Sequence, residues 1–368
     1  MPTRVRSFSK INLGLAVGPL RPDGFHALTT VYQTLYLYDV VTVTATPAAE
    51  TTIIITANHR GVPSTEAGTA ERNTAWKLTS LVLSQLAITA HVDINIDKRL
   101  PVQGGMGAGS ANAVAAILGL ERELGVALPG SARLELAAEV GSDVPLFLLG
   151  GTILGLGRGE EVYPLPDSPA MHCVVALPNV GISTSLAFQQ LDARWQAQNG
   201  RAGHDSLTSA PPADRLKELS RALASVWSTS GVESGPSGIA PIHRSELIPG
   251  DLPSGRASVA QREVRGDLAE NPLLALVRTG IENDFEEVAF SQYPSLRSTK
   301  RDLLGGSGSS AYSACYAALS GSGSALFGLY ETETDARAAQ HRVQENGTKA
   351  ILTETLSRRH YWNTMFVE

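Results

Sequence analysis

The stretch LPVQGGMGAGSANAVAAILGL, Leu100 to Leu120, places four glycines within six residues, then a serine, then an apolar run at helical spacing. Before it, HVDINIDKRLP puts Val92, Ile94 and Ile96 on one face of a strand. A strand, a glycine-rich turn and a helix N-terminus together make an anion site. Unpaired backbone N–H groups point outward there, and the helix dipole adds partial positive charge. Gly104, Gly105, Gly107 and Gly109 let the backbone wrap phosphate oxygens without Cβ clashes. Ser110 supplies a hydroxyl at the start of a helix expected to run to about Leu124, for phosphate or for a bound metal ion. Gly104 to Ala111 reads G-x-x-x-x-G-S-A, which lacks the lysine and the following hydroxyl of a P-loop. It is not G-x-G-x-x-G with an acid about twenty residues on, so a dinucleotide fingerprint is disfavoured. The plain alternative is a glycine cluster that only lets a helix pack closely on a strand.

Around this loop lies a chain of 368 residues, long enough for two domains sharing an interface. Hydrophobic content of 43% and charged content of 18% are those of a globular protein. The net charge of −6 gives no basic field for nucleic acid, so a small-molecule partner is expected. Two cysteines, Cys173 and Cys315, build neither a disulfide framework nor a four-thiolate zinc site, and two free thiols are expected. MPTRVRSFSKINLGL lacks the apolar core of a signal peptide, and VPLFLLGGTILGLG is too short and glycine-broken to span a bilayer. A cytoplasmic protein without membrane contact is expected. Neither G-x-S-x-G nor H-E-x-x-H occurs, which disfavours a serine hydrolase and a zinc enzyme.

The first hundred residues read mainly as strands, with TTVYQTLYLYDVVTVTA and TTIIITA the clearest runs. Asn73 caps a helical pattern, NTAWKLTSLVLSQLA, and Ser131 opens another, SARLELAAEVG. Strands return at Gly151–Leu156 and His172–Leu177. From Gln196 to Asp267 the chain is rich in Ser, Pro, Gly and Ala and reads as an insertion, interrupted by one short amphipathic helix, PADRLKELSRALASVW. NPLLALVRTGIENDFEEVAF is then helical, LLGGSGSS reads as a flexible connector, and a strand, a helix and a strand close the chain. Strands and helices in mixed order argue α+β rather than a doubly wound parallel sheet.

Other residues carry chemistry with a bland alternative beside each. Asp143 in GSDVPLF stands between a Gly-Ser turn and an apolar, strand-like run; it suits a general base, and equally a turn aspartate. Lys10 and Asn12 in SKINLGL face the same way from one strand, although a strand-edge lysine usually faces solvent. RPDGFHAL is a turn that sets Phe25 beside His26, with Tyr32 on the next strand; these hold a flat base or only pad a hairpin. LSGSGSALFGLY is a second glycine-rich turn, able to bring Gly321, Ser322 and Gly323 against the first loop or a substrate.

Taken in order, SKINLGLAV, RPDGFHALTTVYQTL, IDKRLPVQGGMGAGSANA, GSDVPLFLLGGTILGLGRGE, ENDFE and ALSGSGSALFG resemble the GHMP kinases. DGFH and SDVPLFLLGG narrow the likeness to members acting on 4-diphosphocytidyl-2-C-methyl-D-erythritol. The resemblance implies an N-terminal ribosomal-S5-like β/α domain over residues 1–165. It implies a C-terminal α/β sandwich over 166–368, carrying the insertion at 196–267. It implies ATP with Mg2+ and phosphorylation of a hydroxyl of that small-molecule substrate by a monomer or homodimer. Lys10 and Asp143 match the catalytic pair. Pro101, Gly104, Gly105, Met106, Gly107, Ala108, Gly109 and Ser110 match the phosphate cradle, with Ser110 beside the metal. Asn73 and Lys98 fall near the nucleotide. Asn12, Phe25, His26, Tyr32, Phe188, Gly321, Ser322 and Gly323 match the substrate side, with His26 at the cytosine edge and Tyr32 and Phe188 as stacking walls. Three positions depart from the usual pattern: Phe8-Ser9 for Pro-Ala, Phe25 for Tyr, and Ala111 for a second Ser. Within the same resemblance a homoserine, mevalonate or sugar kinase, or a non-catalytic nucleotide-binding regulator, stands as the alternative.

Overall fold

Two long strands, β1 (Thr3–Leu20) and β2 (His26–Pro47), pair antiparallel along almost their whole length. Their β-branched and aromatic content suits a pleated surface buried on both sides. The register shifts between Phe8 and Ser9, just before Lys10, and again between Asn12 and Gly14. Such irregularities re-aim side chains, and here they flank the two polar residues the sequence singles out. We describe the fold from a computed structural model covering residues 1–102, 104–199, 273, 282–305 and 313–368. The amphipathic helix and most of the insertion read between residues 196 and 267, most of NPLLALVRTGIENDFEEVAF before residue 282, and residues 306–310 of LLGGSGSS lie outside these.

Among the described residues, β1 and β2 form the middle of a seven-stranded sheet in the order β11-β1-β2-β4-β3. β3 (Thr52–Ala57) runs parallel to β4 (Ala90–Asp97), and α1 (Thr74–Leu86) connects them. β5 (Thr152–Leu156) pairs with the other half of β2 and carries β6 (Glu161–Pro164). Helix α2 (Ala108–Leu124) starts two residues before the expected Ser110 and packs on β1 and β2. It is buried nearly all round, which is why its sequence is Ala-rich with almost no polar face. Gly119 faces Val43 so closely that a Cβ would meet Val43 Cγ2 at 2.6 Å. Helix α3 (Gly130–Val140) then leads to Asp143.

The second sheet has four antiparallel strands in the order β10-β7-β9-β8. These are β7 (His172–Leu177), β8 (Tyr316–Leu319), β9 (Leu326–Tyr330) and β10 (Lys349–Glu354). Helices α4 (Thr184–Asn199), α5 (Glu286–Gln292), α6 (Pro294–Leu304) and α7 (Glu333–Glu345) accompany it. The fold is α+β, as read from the order of elements. An apolar cluster joins the sheets: Ile11, Leu13, Val31 and Leu35 of the first meet Met171, Cys173, Val175 and Phe327 of the second. Neither Cys173 nor Cys315 is in a disulfide, and burial pushes the Cys173 thiol up.

One expectation changes. VPLF is not strand-like: Pro145–Leu148 forms a 3-10 helix. Proline at its first turn presets φ and gives up an N–H no helix would have used. The chain passes from one sheet to the other between Pro164 and His172, yet it returns at the end. Helix α8 (Arg358–Asn363) and β11 (Phe366–Val367) rejoin the first sheet, with Arg4 opposite Val367 and Val5 opposite Phe366. Residues at the end of the chain thus pair with the sheet built by the first strands, although they lie beyond residue 165. Among the described residues, no helix is long and apolar enough to cross a membrane.

Candidate active site

The glycine loop is anchored behind by a buried carboxylate. Asp39 is fully buried; its Oδ1 accepts from the Arg99 and Leu100 N–H groups at 2.7 and 2.8 Å, and its Oδ2 accepts from Lys98 Nζ at 2.7 Å. Ahead of that anchor, Gly107 sits at φ +69° as the residue preceding α2, and no side chain caps that helix. Its first turn therefore faces the cleft with backbone donors. Gly105, at φ +75°, touches the second glycine turn: a Cβ there would lie 2.0 Å from the Ser320 carbonyl oxygen. Ser320 Oγ donates to Gly105 O at 3.0 Å, and Ala325 N–H donates to Gly104 O at 3.2 Å. The two glycine turns are thus hydrogen-bonded to each other across the domains. Pro101, Gly104 to Ser110, Ser322 and Gly323 line one cavity, joined by Thr74, Ser183 and Thr184.

Next to this cavity stands an ion pair. Lys10 Nζ lies 3.3 Å from Asp143 Oδ2; the lysine side chain is 3% exposed and the aspartate 35%. A buried ammonium needs compensation on every side. Lys10 also donates to Asn12 Oδ1 at 2.6 Å, and Asn12 Nδ2 donates to Thr30 Oγ1 at 2.8 Å. Asp143 Oδ1 accepts from the Tyr32 hydroxyl at 3.1 Å. Burial first, then the neighbouring Asp143 charge, holds the Tyr32 phenol well above its ordinary range. Tyr32 is therefore a hydrogen-bond donor throughout the neutral pH range.

A second cavity opens from the same pair, lined by Lys10, Asn12, Tyr32, Asp143, Phe25, His26, Phe188, Gly321 and Ser322. Gly105, Thr184 and Ser322 line both cavities, and the Thr184 and Ser322 hydroxyls are 2.8 Å apart at the junction. At its far end His26 stacks on Phe188, ring centroids 5.0 Å apart and 12° from parallel. His26 Nδ1 faces Gly18 O at 3.0 Å and Nε2 faces Asp192 Oδ2 at 3.3 Å. Phe25 is half exposed at the mouth, with the Arg158 guanidinium 4.8 Å from its ring centroid.

Most of the residues read from the sequence line these two adjoining cavities; the side-chain polar atoms of Asn73, Lys98 and Tyr32 are engaged by other protein groups. The Asn73 side chain caps α1, accepting from Ala75 N–H at 3.0 Å, and donates to Pro63 O at 2.8 Å. Its polar atoms are thereby occupied away from the cleft, which Thr74 lines instead. Lys98 points inward to Asp39 rather than to the phosphate cradle; burial lowers its pKa and the Asp39 charge opposes that. Tyr32 offers no face for stacking, being 2% exposed with its hydroxyl on Asp143. Sequence reasoning missed Thr184, Asp192 and Arg158. Arg158 stands in GLGRGE, a stretch already quoted, but nothing in its spacing shows that it reaches Phe25.

Residues 73–151 match the GHMP kinases N terminal domain, and residues 266–349 match the GHMP kinases C terminal domain. A 4-diphosphocytidyl-2-C-methyl-D-erythritol kinase of Solibacter usitatus (strain Ellin6076) is 31% identical over 357 residues, covering 97% of this chain and 90% of the relative. One from Nocardia farcinica (strain IFM 10152) is 42% identical over 191 residues, 52% of this chain and 60% of the relative. A crystal structure of 4-(cytidine 5'-diphospho)-2C-methyl-D-erythritol kinase superposes with a TM-score of 0.61 at 24% identity, covering 96% of this chain and 98% of that one, which shows the shared fold. With that fold, both matched domains and a relative similar along nine-tenths of its length, the chain belongs to the GHMP kinases, in the 4-diphosphocytidyl-2-C-methyl-D-erythritol kinase family.

Proposed function

We propose that the protein transfers the γ-phosphoryl group of ATP to a hydroxyl of 4-diphosphocytidyl-2-C-methyl-D-erythritol, giving the 2-phosphate, a step of isoprenoid precursor synthesis. The observation that carries this reading is the Lys10–Asp143 pair standing where a glycine cradle and an aromatic-ended cavity meet. The cradle fits a triphosphate: the uncapped helix start behind Gly107 offers backbone donors to an anion. The second cavity fits a long acceptor with a nucleobase at one end and a polyol at the other. A base at that end stands against Phe25 and Phe188, and its polar edge meets His26 once Asp192 yields Nε2.

In the reaction Asp143 accepts the proton of the acceptor hydroxyl. The new bond forms between that oxygen and the γ-phosphorus, the bond to the β,γ-bridging oxygen breaks, and ADP leaves. Lys10 pairs with Asp143 and faces the charge developing on the transferring group. Tyr32 and Lys10 hold the two Asp143 oxygens from opposite sides, so the carboxylate is oriented before substrate arrives. Mg2+, bound with the triphosphate, would neutralise its charge; Ser110 carries the only hydroxyl of the loop residues 101–110 and is the residue we assign beside it.

The test is ADP release from Mg-ATP with the cytidyl substrate, run beside mevalonate, homoserine and galactose. Turnover with the cytidyl substrate alone is expected. Turnover with another alcohol would keep the mechanism and discard the acceptor. ATP binding without turnover on any acceptor would overturn the kinase reading.

A further inference from the structure

Thr30 is fully buried on β2, one strand away from the catalytic pair and in contact with neither of its members by hydrogen bond. Its hydroxyl carries one hydrogen, and that hydrogen is committed: Thr30 Oγ1 donates to Gly14 O at 2.8 Å. Gly14 lies where the β1 register shifts, so its carbonyl meets a side chain at this point. With its hydrogen spent on a carbonyl, Thr30 Oγ1 presents only lone pairs to its other neighbour. That neighbour is the Asn12 side-chain amide, at 2.8 Å.

An amide has two ends of similar shape and opposite polarity. Facing an acceptor, Asn12 must turn its NH2 toward Thr30, and its carbonyl oxygen then faces the other way. That oxygen is 2.6 Å from Lys10 Nζ. Flipped, the amide would set N–H groups against a buried ammonium and a carbonyl against the Thr30 lone pairs. Both contacts would be repulsive in a site where Lys10 is 2% and Asn12 2% exposed. From the Lys10 ammonium, donation runs one way through the Asn12 amide and the Thr30 hydroxyl to Gly14 O, while the same ammonium separately faces the Asp143 carboxylate. The direction of donation is set at the end farthest from the reaction.

We propose that Thr30 is a positioning residue for phosphoryl transfer: by fixing which way the Asn12 amide points, it fixes the Lys10 ammonium between Asn12 and Asp143. Two of the three ammonium hydrogens are then directed at Asn12 Oδ1 and Asp143 Oδ2, and the third is free to face the transferring group. This rests on the reading of Lys10 and Asp143 as the catalytic pair. Thr30 lines neither cavity, so it acts on the site only through the Asn12 amide, and ATP binding in the glycine cradle is left alone.

The experiment is steady-state kinetics on Thr30→Val, Thr30→Ser, Asn12→Ala, the Thr30→Val/Asn12→Ala double variant and Asp143→Asn. Thr30→Val keeps the shape and removes the hydroxyl; its kcat should fall about tenfold, the scale of one lost hydrogen bond to a charged network. KM for ATP should stay within about twofold, and Thr30→Ser should work nearly as the parent does. The double variant should be no slower than Asn12→Ala, because Thr30 has no amide left to orient. Parental kcat in Thr30→Val overturns the proposal. So does a Thr30→Ser as slow as Thr30→Val, or a further loss on top of Asn12→Ala. If Thr30→Val does not fold, Thr30→Ala against Thr30→Ser makes the same comparison. Asp143→Asn separates the two readings: parental turnover there overturns the catalytic pair itself, whereas its loss alongside an unaffected Thr30→Val overturns only the role of Thr30.

Discussion

Lys10 shows how the polar end of one buried side chain is partnered inside a protein. It is 2% exposed, and its ammonium is met by an amide oxygen and a carboxylate. Tyr32 completes the arrangement from the other side of Asp143. Tyr32→Phe removes that donor and the hydroxyl's contact with Gly159, and leaves the ring packed against Gly155. kcat should fall about tenfold with little change in thermal stability, from the loss of one hydrogen bond to a charged group. Because burial and the Asp143 charge both disfavour the phenolate, the Tyr32 pKa lies above its ordinary value of 10. The alkaline limb of the pH–rate profile below pH 10 should therefore keep its position in Tyr32→Phe; a limb that vanishes would show Tyr32 ionising in the working enzyme. At this scale the period-2 rule sufficed to place Lys10 and Asn12 on one face. It could not find Tyr32 beside Asp143, because the two are 111 positions apart in sequence and no local signal links them.

Elements carry the next level of constraint. The glycine loop was legible because glycine spacing before a helix has few uses, but its contact with the second glycine turn was open until the two were placed together. Gly105→Ala tests that contact. Its Cβ would meet a backbone oxygen at 2.0 Å, and its φ of +75° disfavours any side chain. The turns must separate, so ATP affinity should drop by at least about tenfold, read by calorimetry, while the sheets remain folded. The anchor behind the loop is a second test. Asp39→Asn leaves the buried Lys98 ammonium facing an amide, and removing one partner of such a pair costs about 3–5 kcal/mol. Adding Lys98→Met should recover most of that loss in a urea titration. The pH dependence has a defined sign. Burial already lowers the Lys98 pKa, and without Asp39 nothing in that pair opposes the lowering. Between the lowered folded value and the unfolded value of about 10.4, the unfolded chain binds the extra proton, so the deficit of Asp39→Asn should shrink as pH rises through that window. Lys98 read as a nucleotide contact from its place in the pattern because strand alternation does not reveal a buried acid on the neighbouring strand. VPLF read as a strand for a related reason: four apolar residues fit a buried 3-10 turn as well as a strand, and only Pro145 hinted at the turn.

Across the whole molecule, the α+β class was legible from mixed strands and helices, whereas the return of the chain end was not. A two-residue strand and a six-residue helix leave almost no periodic signal. Yet this return closes the structure around the site. Leu356 N–H donates to Thr34 O at 2.9 Å, and Gln33 Nε2 donates to Leu356 O at 2.7 Å, on the strand that carries Thr30 and Tyr32. Tyr361 is 2% exposed and lies 5.2 Å from the Phe8 ring centroid. Gly150 is packed so closely beneath it that a Cβ there would meet Tyr361 Cδ1 at 2.3 Å. The Tyr361 hydroxyl donates to Phe147 O at 2.6 Å, and Trp362 Nε1 donates to Leu149 O at 2.9 Å. The segment after Asp143 is therefore held from behind by residues more than two hundred positions later. Tyr361→Ala opens a cavity in the first core and frees that carbonyl, for a cost of about 3–5 kcal/mol, the range for a large buried aromatic. Tyr361→Phe keeps the ring and loses only the hydrogen bond, for about 1–3 kcal/mol. Both should shift the urea midpoint downward without changing the slope, since the same surface unfolds. Because Phe147 follows Asp143 by four residues in one continuous turn, Tyr361→Phe should also lower kcat by severalfold under conditions where it is fully folded. A variant equally stable and equally fast as the parent would show that the chain end covers the sheet without supporting the Asp143 turn.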